Sequence, residues 1–284
     1  MPWDKQKAQS FIVALSKRGL MTSTLRVYLR RVRALHLEAG LTPLWTSADV
    51  RQLLKGTANS YRPAPGSPTR DRVPVTPFIL YKIKEKLSKD STMSMSDKRM
   101  FWLFCTWAYV GSFRSSDILA EQVGGYRPTS TLMTHHVTWR TEIINNKSVS
   151  YLVVRVPEPK EAAESNSAVL VELLPLPPGT FYCPVQAFRK WSSLQGGLTP
   201  GGPLFVNGGR LLTGARVNLY LRNLLKDVVD YTKQQVLGHS FRSGVISALA
   251  RVGASKEVMM SQGRWNSEAF EVGPSLTLDN NIIT

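Results

Sequence analysis

The sequence predicts a mainly α protein with a small antiparallel sheet, an α+β chain in two domains: a helical domain at 1–62, a linker at 63–75 and a larger domain at 76–284. Three observations predict this. Tyr61–Pro77, reading YRPAPGSPTRDRVPVTP, holds five prolines and a glycine in 17 residues. No helix interior tolerates that composition, which suits an extended and partly stiff connection. On both sides of the break, apolar residues recur at helical spacing. Between positions 137 and 174 the pattern changes to strand-like alternation around an Asn-Asn pair.

Taken in order, the first helix is expected over Asp4–Lys17, stopped by Gly19. Thr24 or Ser23 is expected to cap a second, whose apolar stripe is Leu25, Tyr28, Leu29, Val32 and Leu35. Arg26, Arg30 and Arg33 recur at i, i+4, i+7 on its other side, and Gly40 closes it. A third helix begins near Ser47 or Asp49. After the linker, Thr76 caps a helix over Pro77–Leu87. Met100–Val110, MFWLFCTWAYV, is apolar almost all round and reads as a buried helix. Val137–Glu142 and Ser150–Val156 form a hairpin through Ile143–Lys147, and Ala168–Leu174 adds a strand. Helices return at Cys183–Trp191, Ala215–Val228, Phe241–Arg251 and Lys256–Gly263.

The composition narrows the function. The chain has 284 residues, with 36 Lys+Arg against 20 Asp+Glu and a formal charge of +16. Residues 1–73 alone hold 13 basic and 4 acidic side chains, so the small domain is the more intensely basic. Such a surplus points to a polyanionic partner. Cys105 and Cys183 stand far apart and in no ligand spacing, against a zinc finger or a disulfide framework. No apolar run approaches the roughly 18 residues of a membrane span. The stretch Phe11–Leu15 is too short for a secretory signal, so a reduced intracellular compartment is expected.

The sharpest motif is His239-Ser240-Phe241-Arg242. Three apart on a helix, His and Arg share a face, placing a proton-transfer group beside a fixed bidentate cation. A phosphodiester transition state asks for that pair. Upstream, Gly111-Ser112-Phe113-Arg114-Ser115-Ser116-Asp117 sets an arginine directly after the buried aromatic helix, with an acid three positions on. Lys160 follows the strand ending at Val156, and Gly263-Arg264-Trp265 comes about 20 residues after the His-Arg motif.

This series resembles the active-site order of the tyrosine recombinases. The phrasing HSFRSG, then GRW, is most similar to the recombinases of DIRS-type retrotransposons and their Ngaro and Crypton relatives. The resemblance runs from Leu25 to Phe270 and includes the linker phrase DRVPVTPFIL. It implies a helical core-binding domain, a recombinase catalytic domain, and DNA strand cleavage and rejoining through a 3′-phosphotyrosyl intermediate. It assigns Arg114 and Arg242 to the non-bridging oxygens of the scissile phosphate, and Asp117 to orienting Arg114 or a neighbour. Lys160 would be the general acid for the leaving 5′ oxygen, with Lys147 in the turn as its rival. His239 would serve proton transfer, and Trp265 would donate from its indole or pack the site. Arg26, Arg30 and Arg33 would grip DNA phosphates. Implied partners are double-stranded DNA and three further copies of the chain, a tetramer on two duplexes. No membrane, small-molecule substrate, metal or organic cofactor is implied. The location would be nuclear in a eukaryote.

One departure is large. The tyrosine nucleophile belongs eight or nine positions after the Trp, where this chain has Gly273 and Pro274. No tyrosine follows Tyr231, and Tyr231 precedes the His-Arg motif. Ser275 and Thr277 offer hydroxyls, but an alkoxide is far harder to form than a phenolate of pKa about 10. The expectation is a chain that binds DNA without cleaving it. The alternatives are a recombinase-derived DNA-binding protein with no chemistry and a type IB topoisomerase.

Overall fold

The computed structural model describes residues 3–20, 22–42, 47–60, 71–120, 125–157, 169–194, 199–232 and 234–264. The chain divides into two compact units, Met1–Thr69 and Arg70–Thr284.

The first unit is three helices, α1 (Lys5–Lys17), α2 (Thr22–Glu38) and α3 (Ser47–Ser60). Asp4 caps α1 by accepting the Lys7 N–H at 2.7 Å. Past the helix end, Gly19 takes a left-handed φ of 78°. α2 starts at Thr22, so Ser23 and Thr24 lie in its first turn rather than ahead of it. Its buried stripe is also narrower than predicted. Leu25 and Leu29 are buried, but Tyr28 and Leu35 are 45% and 62% exposed. His36 takes the next buried place. Its Nδ1 donates to the Val32 carbonyl at 2.7 Å while Nε2 accepts the Trp3 N–H at 2.9 Å. The core here is Ile12, Leu25, Leu29 and Leu54, with a few half-buried neighbours.

The second unit starts earlier than the expected linker end. Residues 71–75, read as linker, are built into it: β1 (Asp71–Arg72) pairs in parallel with β7 (Gln234–Gln235). The Val73 N–H donates to Gln235 O, and the Val75 N–H to Ser240 O at 2.9 Å. Val75 is fully buried. Two valines spaced to point inward anchor this stretch despite its prolines. α4 (Pro77–Lys89) follows, capped by Thr76 as predicted.

α5 (Met95–Val110) is the central post. It begins five residues before the apolar run because Ser94 caps it, accepting the Asp97 N–H at 3.0 Å. Its aromatics bind it to its neighbours. Trp107 stacks on Phe188 of α7 (Pro184–Leu194) at 5.6 Å, and Phe104 meets Phe241 of α9 (Ser240–Arg251) edge-on at 5.6 Å. Burying one such side chain contributes about 1.5–3 kcal/mol.

The sheet is a meander, β2 (Val137–Ile144), β3 (Lys147–Val156) and β4 (Val169–Leu173), all antiparallel. Ile144 pairs with Lys147, so Asn145-Asn146 alone makes the turn, with φ of 49° and 58°. That is the primed turn a twisted hairpin favours. The remaining elements are α6 (Ser115–Ile118), a 3-10 turn at Thr134–His136, the short pair β5 (Val206–Asn207) and β6 (Arg210–Leu211), α8 (Gly214–Leu225) and α10 (Lys256–Gly263).

Candidate active site

The site is organised by the end of α5. Gly111 caps it, and a Cβ there would sit 2.4 Å from the Phe113 ring, so the turn admits only glycine. Ser112 is buried with a left-handed φ of 49°. For a non-glycine residue that conformation costs on the order of 1–3 kcal/mol and persists only where its surroundings hold it. Here they do. The Ser112 carbonyl accepts from Arg242 Nη1 at 3.4 Å and from Arg264 Nη2 at 3.0 Å. Arg264 also reaches the Gly111 carbonyl at 3.3 Å and lies over the Phe113 ring. Gln262 of α10 donates to Val110 O and Ser112 Oγ. Three buried carbonyls at a helix end are thereby satisfied by side chains from α9 and α10.

Arg114 follows immediately as the N-cap of α6. Asp117 is 4% exposed and accepts the Arg114 backbone N–H at 2.9 Å. Its same oxygen pairs with Arg264 Nη2 at 3.0 Å. Asp117 therefore fixes the backbone from which the Arg114 side chain departs, and Arg264 fixes Asp117.

Gly238 brings the second motif against the first. A Cβ on it would come within 1.9 Å of Ser115 Oγ, and its N–H donates to Asn218 of α8. His239 is the next residue, the N-cap of α9, and Arg242 three on is 1% exposed. Gly244 lets α9 approach the entering strand, since a Cβ there would meet the Val75 carbonyl at 1.9 Å. His239 keeps an exposed edge, yet its ring is crowded by protein. Desolvation first, then the cations Arg72, Arg242 and Arg114, hold its imidazole below the ordinary range, and Asp117 offsets part of this. Four expected residues, Arg114, Asp117, His239 and Arg242, thus converge on one locus at the amino-terminal end of α9, where the helix dipole also favours an anion.

Two residues belong to this locus that the motifs did not single out. Arg72 arrives by the β1–β7 pairing, which ends four residues before His239. Its only sequence signal is the Val73/Val75 alternation inside a proline-rich phrase. Arg264 sits inside the quoted GRW phrase, but nothing local marks it as the ion-pair partner of Asp117.

Other expectations divide. Lys160, Trp265 and Gly273, with Pro274, Ser275 and Thr277, lie outside the described residues. Lys147 is exposed at the start of β3, directly after the hairpin turn. Tyr231 donates its hydroxyl to the Leu221 carbonyl at 3.1 Å, and burial pushes its pKa up to about 12. Both make it a poor nucleophile. Arg26, Arg30 and Arg33 are exposed on α2 in the first unit. Among the described residues no His/Cys/Asp/Glu group is gathered to hold a metal ion, and no helix is long and apolar enough to cross a membrane.

The fold is that of the tyrosine recombinases. It is similar to the XerH site-specific recombinase bound to a palindromic difH substrate in a post-cleavage complex, with a TM-score of 0.53 and 13% identity over 93% of this chain and 66% of that one. The Tn1549 transposon integrase bound to circular intermediate DNA gives 0.47 and 14% over 94% and 79%, and the XerA recombinase 0.44 and 13% over 93% and 91%. No family model matches the sequence, and no curated protein matches it.

Proposed function

We propose that this chain is a site-specific DNA recombinase in architecture that binds duplex DNA at its recombination sites and does not itself cut it. The observation that carries the reading is the convergence of Arg114, exposed His239 and buried Arg242 on one locus, locked by Asp117 and Arg264. A phosphodiester seated there would meet two guanidiniums at its non-bridging oxygens, which is where charge grows as the phosphorus becomes five-coordinate. His239, held neutral by burial and three cations, is the group able to take a proton. Lys160 and Trp265 complete the set by resemblance.

The chemistry stops at the nucleophile. Attack needs a phenolate, and the expected position carries Gly273 followed by Pro274. In a tetramer of identical chains no neighbour supplies what every copy lacks. The HSFRSG and GRW phrasing supports descent from a DIRS-type mobile element, and with it action in a nucleus and assembly of four chains on two duplexes. A recombinase-derived binding protein without chemistry is the second reading, favoured by the same Gly-Pro. A type IB topoisomerase shares the chemistry and fits less well, and the oligomeric state on DNA discriminates it.

A nicked suicide substrate tests the reading. The chain is expected to shift the duplex on a native gel and to leave no denaturation-resistant adduct, whereas Gly273→Tyr gains one. An adduct formed by the unaltered chain overturns the claim of no cleavage. A Gly273→Tyr chain that binds and stays inert favours the binding-only reading.

A further inference from the structure

At the other end of α5 from this locus, roughly 18 Å along the helix from Val110 to Lys98, lies a cavity of about 480 Å³ in the second unit. Its walls are α4, α5, α7 and the turn before α7. Among the described residues that line it are the cations Lys84, Lys98, Arg99 and Lys190, and none of them is acidic. Three of them rest on neutral oxygens: Lys84 donates to the Phe181 carbonyl at 3.3 Å, Arg99 to the Lys190 carbonyl at 3.0 Å, and Lys98 to the Asp90 carbonyl. Lys84 lies against an aromatic surface. Trp102 and Phe181 lie near-parallel, 24° apart with centroids at 6.3 Å. The Lys84 ammonium is 5.4 and 5.7 Å from the Phe181 and Trp102 centroids.

We propose that this cavity binds a nucleotide unit, a phosphate group carried on a flat base, supplied either as a free nucleotide or by single-stranded nucleic acid. Lys98 also feels the Asp90 carboxylate, but Lys84 and Arg99 are met by carbonyls and ring faces, and a phosphate concentrates charge that those only approximate. Burial, then the charge of Lys190, lowers the pKa of Lys84. An aromatic wall beside a cationic one is the arrangement that takes bases by stacking and backbone by charge. The volume falls within the ~300–1,000 Å³ of small-ligand sites and is too small for a duplex. The proposal does not depend on the recombinase reading, since the two sites share no residue.

The test uses the full chain and two photolabels, 8-azido-ATP and a short oligothymidylate carrying 5-iodouracil. Both are expected to label peptides containing Trp102 or Phe181. The double variant Lys84→Gln/Lys190→Gln, checked for an unchanged Tm, should lose at least about tenfold in affinity for the cavity and lower the oligonucleotide salt slope by roughly 1.4, while duplex binding persists. Tighter and more salt-sensitive binding of the oligonucleotide identifies a strand as the source. Equal binding of ATP identifies the free nucleotide. Labelling elsewhere, an indifferent double variant, displacement by inorganic pyrophosphate as effective as by ATP, or preference for a glutamate-rich peptide each overturns the proposal. Failure of the active-site reading would show separately, as duplex binding indifferent to Arg114→Ala and Arg242→Ala.

Discussion

The described arginines of the first unit lie in water, and the second unit carries Arg242 and Arg264 inside the protein. Arg26, Arg30 and Arg33 are exposed along α2, above a core of four buried apolar residues. Arg242 is 1% exposed and the Arg264 side chain 14%, both fixed on the buried Ser112 carbonyl within a continuous aromatic and aliphatic core. The same side chain therefore does two kinds of work. An exposed arginine adds charge wherever a phosphate passes, and it is replaceable by another. A buried one is held to a single geometry, and everything around it is arranged to keep it there. A large core is what makes the second use possible, because only a rigid surround offsets the desolvation of a guanidinium.

The strongest way to break this contrast is Asp117→Ala. It strands the Arg264 charge and frees the Arg114 N–H together. Removing one member of a buried pair costs about 3–5 kcal/mol, which for a unit this size lowers Tm by roughly 10 °C. Asp117→Asn keeps an acceptor for the Arg114 N–H and should recover part of the loss. Thermal unfolding of both variants reads this directly. A shift under about 2 °C for the alanine variant would show that the pair is not structural.

The same contrast predicts separate melting. Leu29→Ala removes one of four core residues from the first unit, a deletion that costs about 2–5 kcal/mol. Small helical units have little stability to lose. The first unit should unfold at room temperature in this variant, with protease cutting confined to residues before the proline-rich stretch and the second unit's transition unmoved. Two transitions moving together would contradict independent cores.

How much of this was legible beforehand follows from which forces are local. The buried helix α5, the hairpin and the Thr76 cap each announce themselves within a few residues, through hydrophobic pattern, an Asn-Asn turn and a Thr-Pro start. The Arg114, His239 and Arg242 cluster was visible as motif types, and the structure supplies their meeting. Arg72 was not visible. Two residues pairing with Gln234–Gln235 across 163 positions leave no periodicity, and the prolines nearby argued for a linker. Arg264 was invisible for a related reason, since a salt bridge to Asp117 spans 147 positions and exists only after α10 docks. On α2 the error ran the other way. Tyr28 and Leu35 fit the helical stripe, but three short helices do not cover the whole of it.

A smaller effect separates the units by affinity. Arg26→Ala, Arg30→Ala and Arg33→Ala combined should leave the first unit folded, since exposed substitutions change stability by about 0.5 kcal/mol or less each and alanine is the better helix former. If all three touch phosphates, the slope of log affinity against log salt should become shallower by about 3. An unchanged slope would refute phosphate contact by these three arginines.

The finest test concerns His239, the histidine of the proposed site. Its folded pKa lies below the ordinary value of about 6.5, because protein crowds it and Arg72, Arg242 and Arg114 repel a further proton. The unfolded chain therefore takes up that proton first as pH falls. Stability is unaffected above about pH 7, declines as pH drops through 6.5, and levels off below the folded pKa. A bound phosphate reverses the local balance. It neutralises the three arginines and favours the imidazolium, so the pKa rises in the complex and binding takes up a proton. Duplex affinity should then strengthen from pH 8 to pH 6, while His239→Gln gives a flatter profile with binding retained. Equal pH profiles for the two proteins would mean that no phosphate sits beside His239.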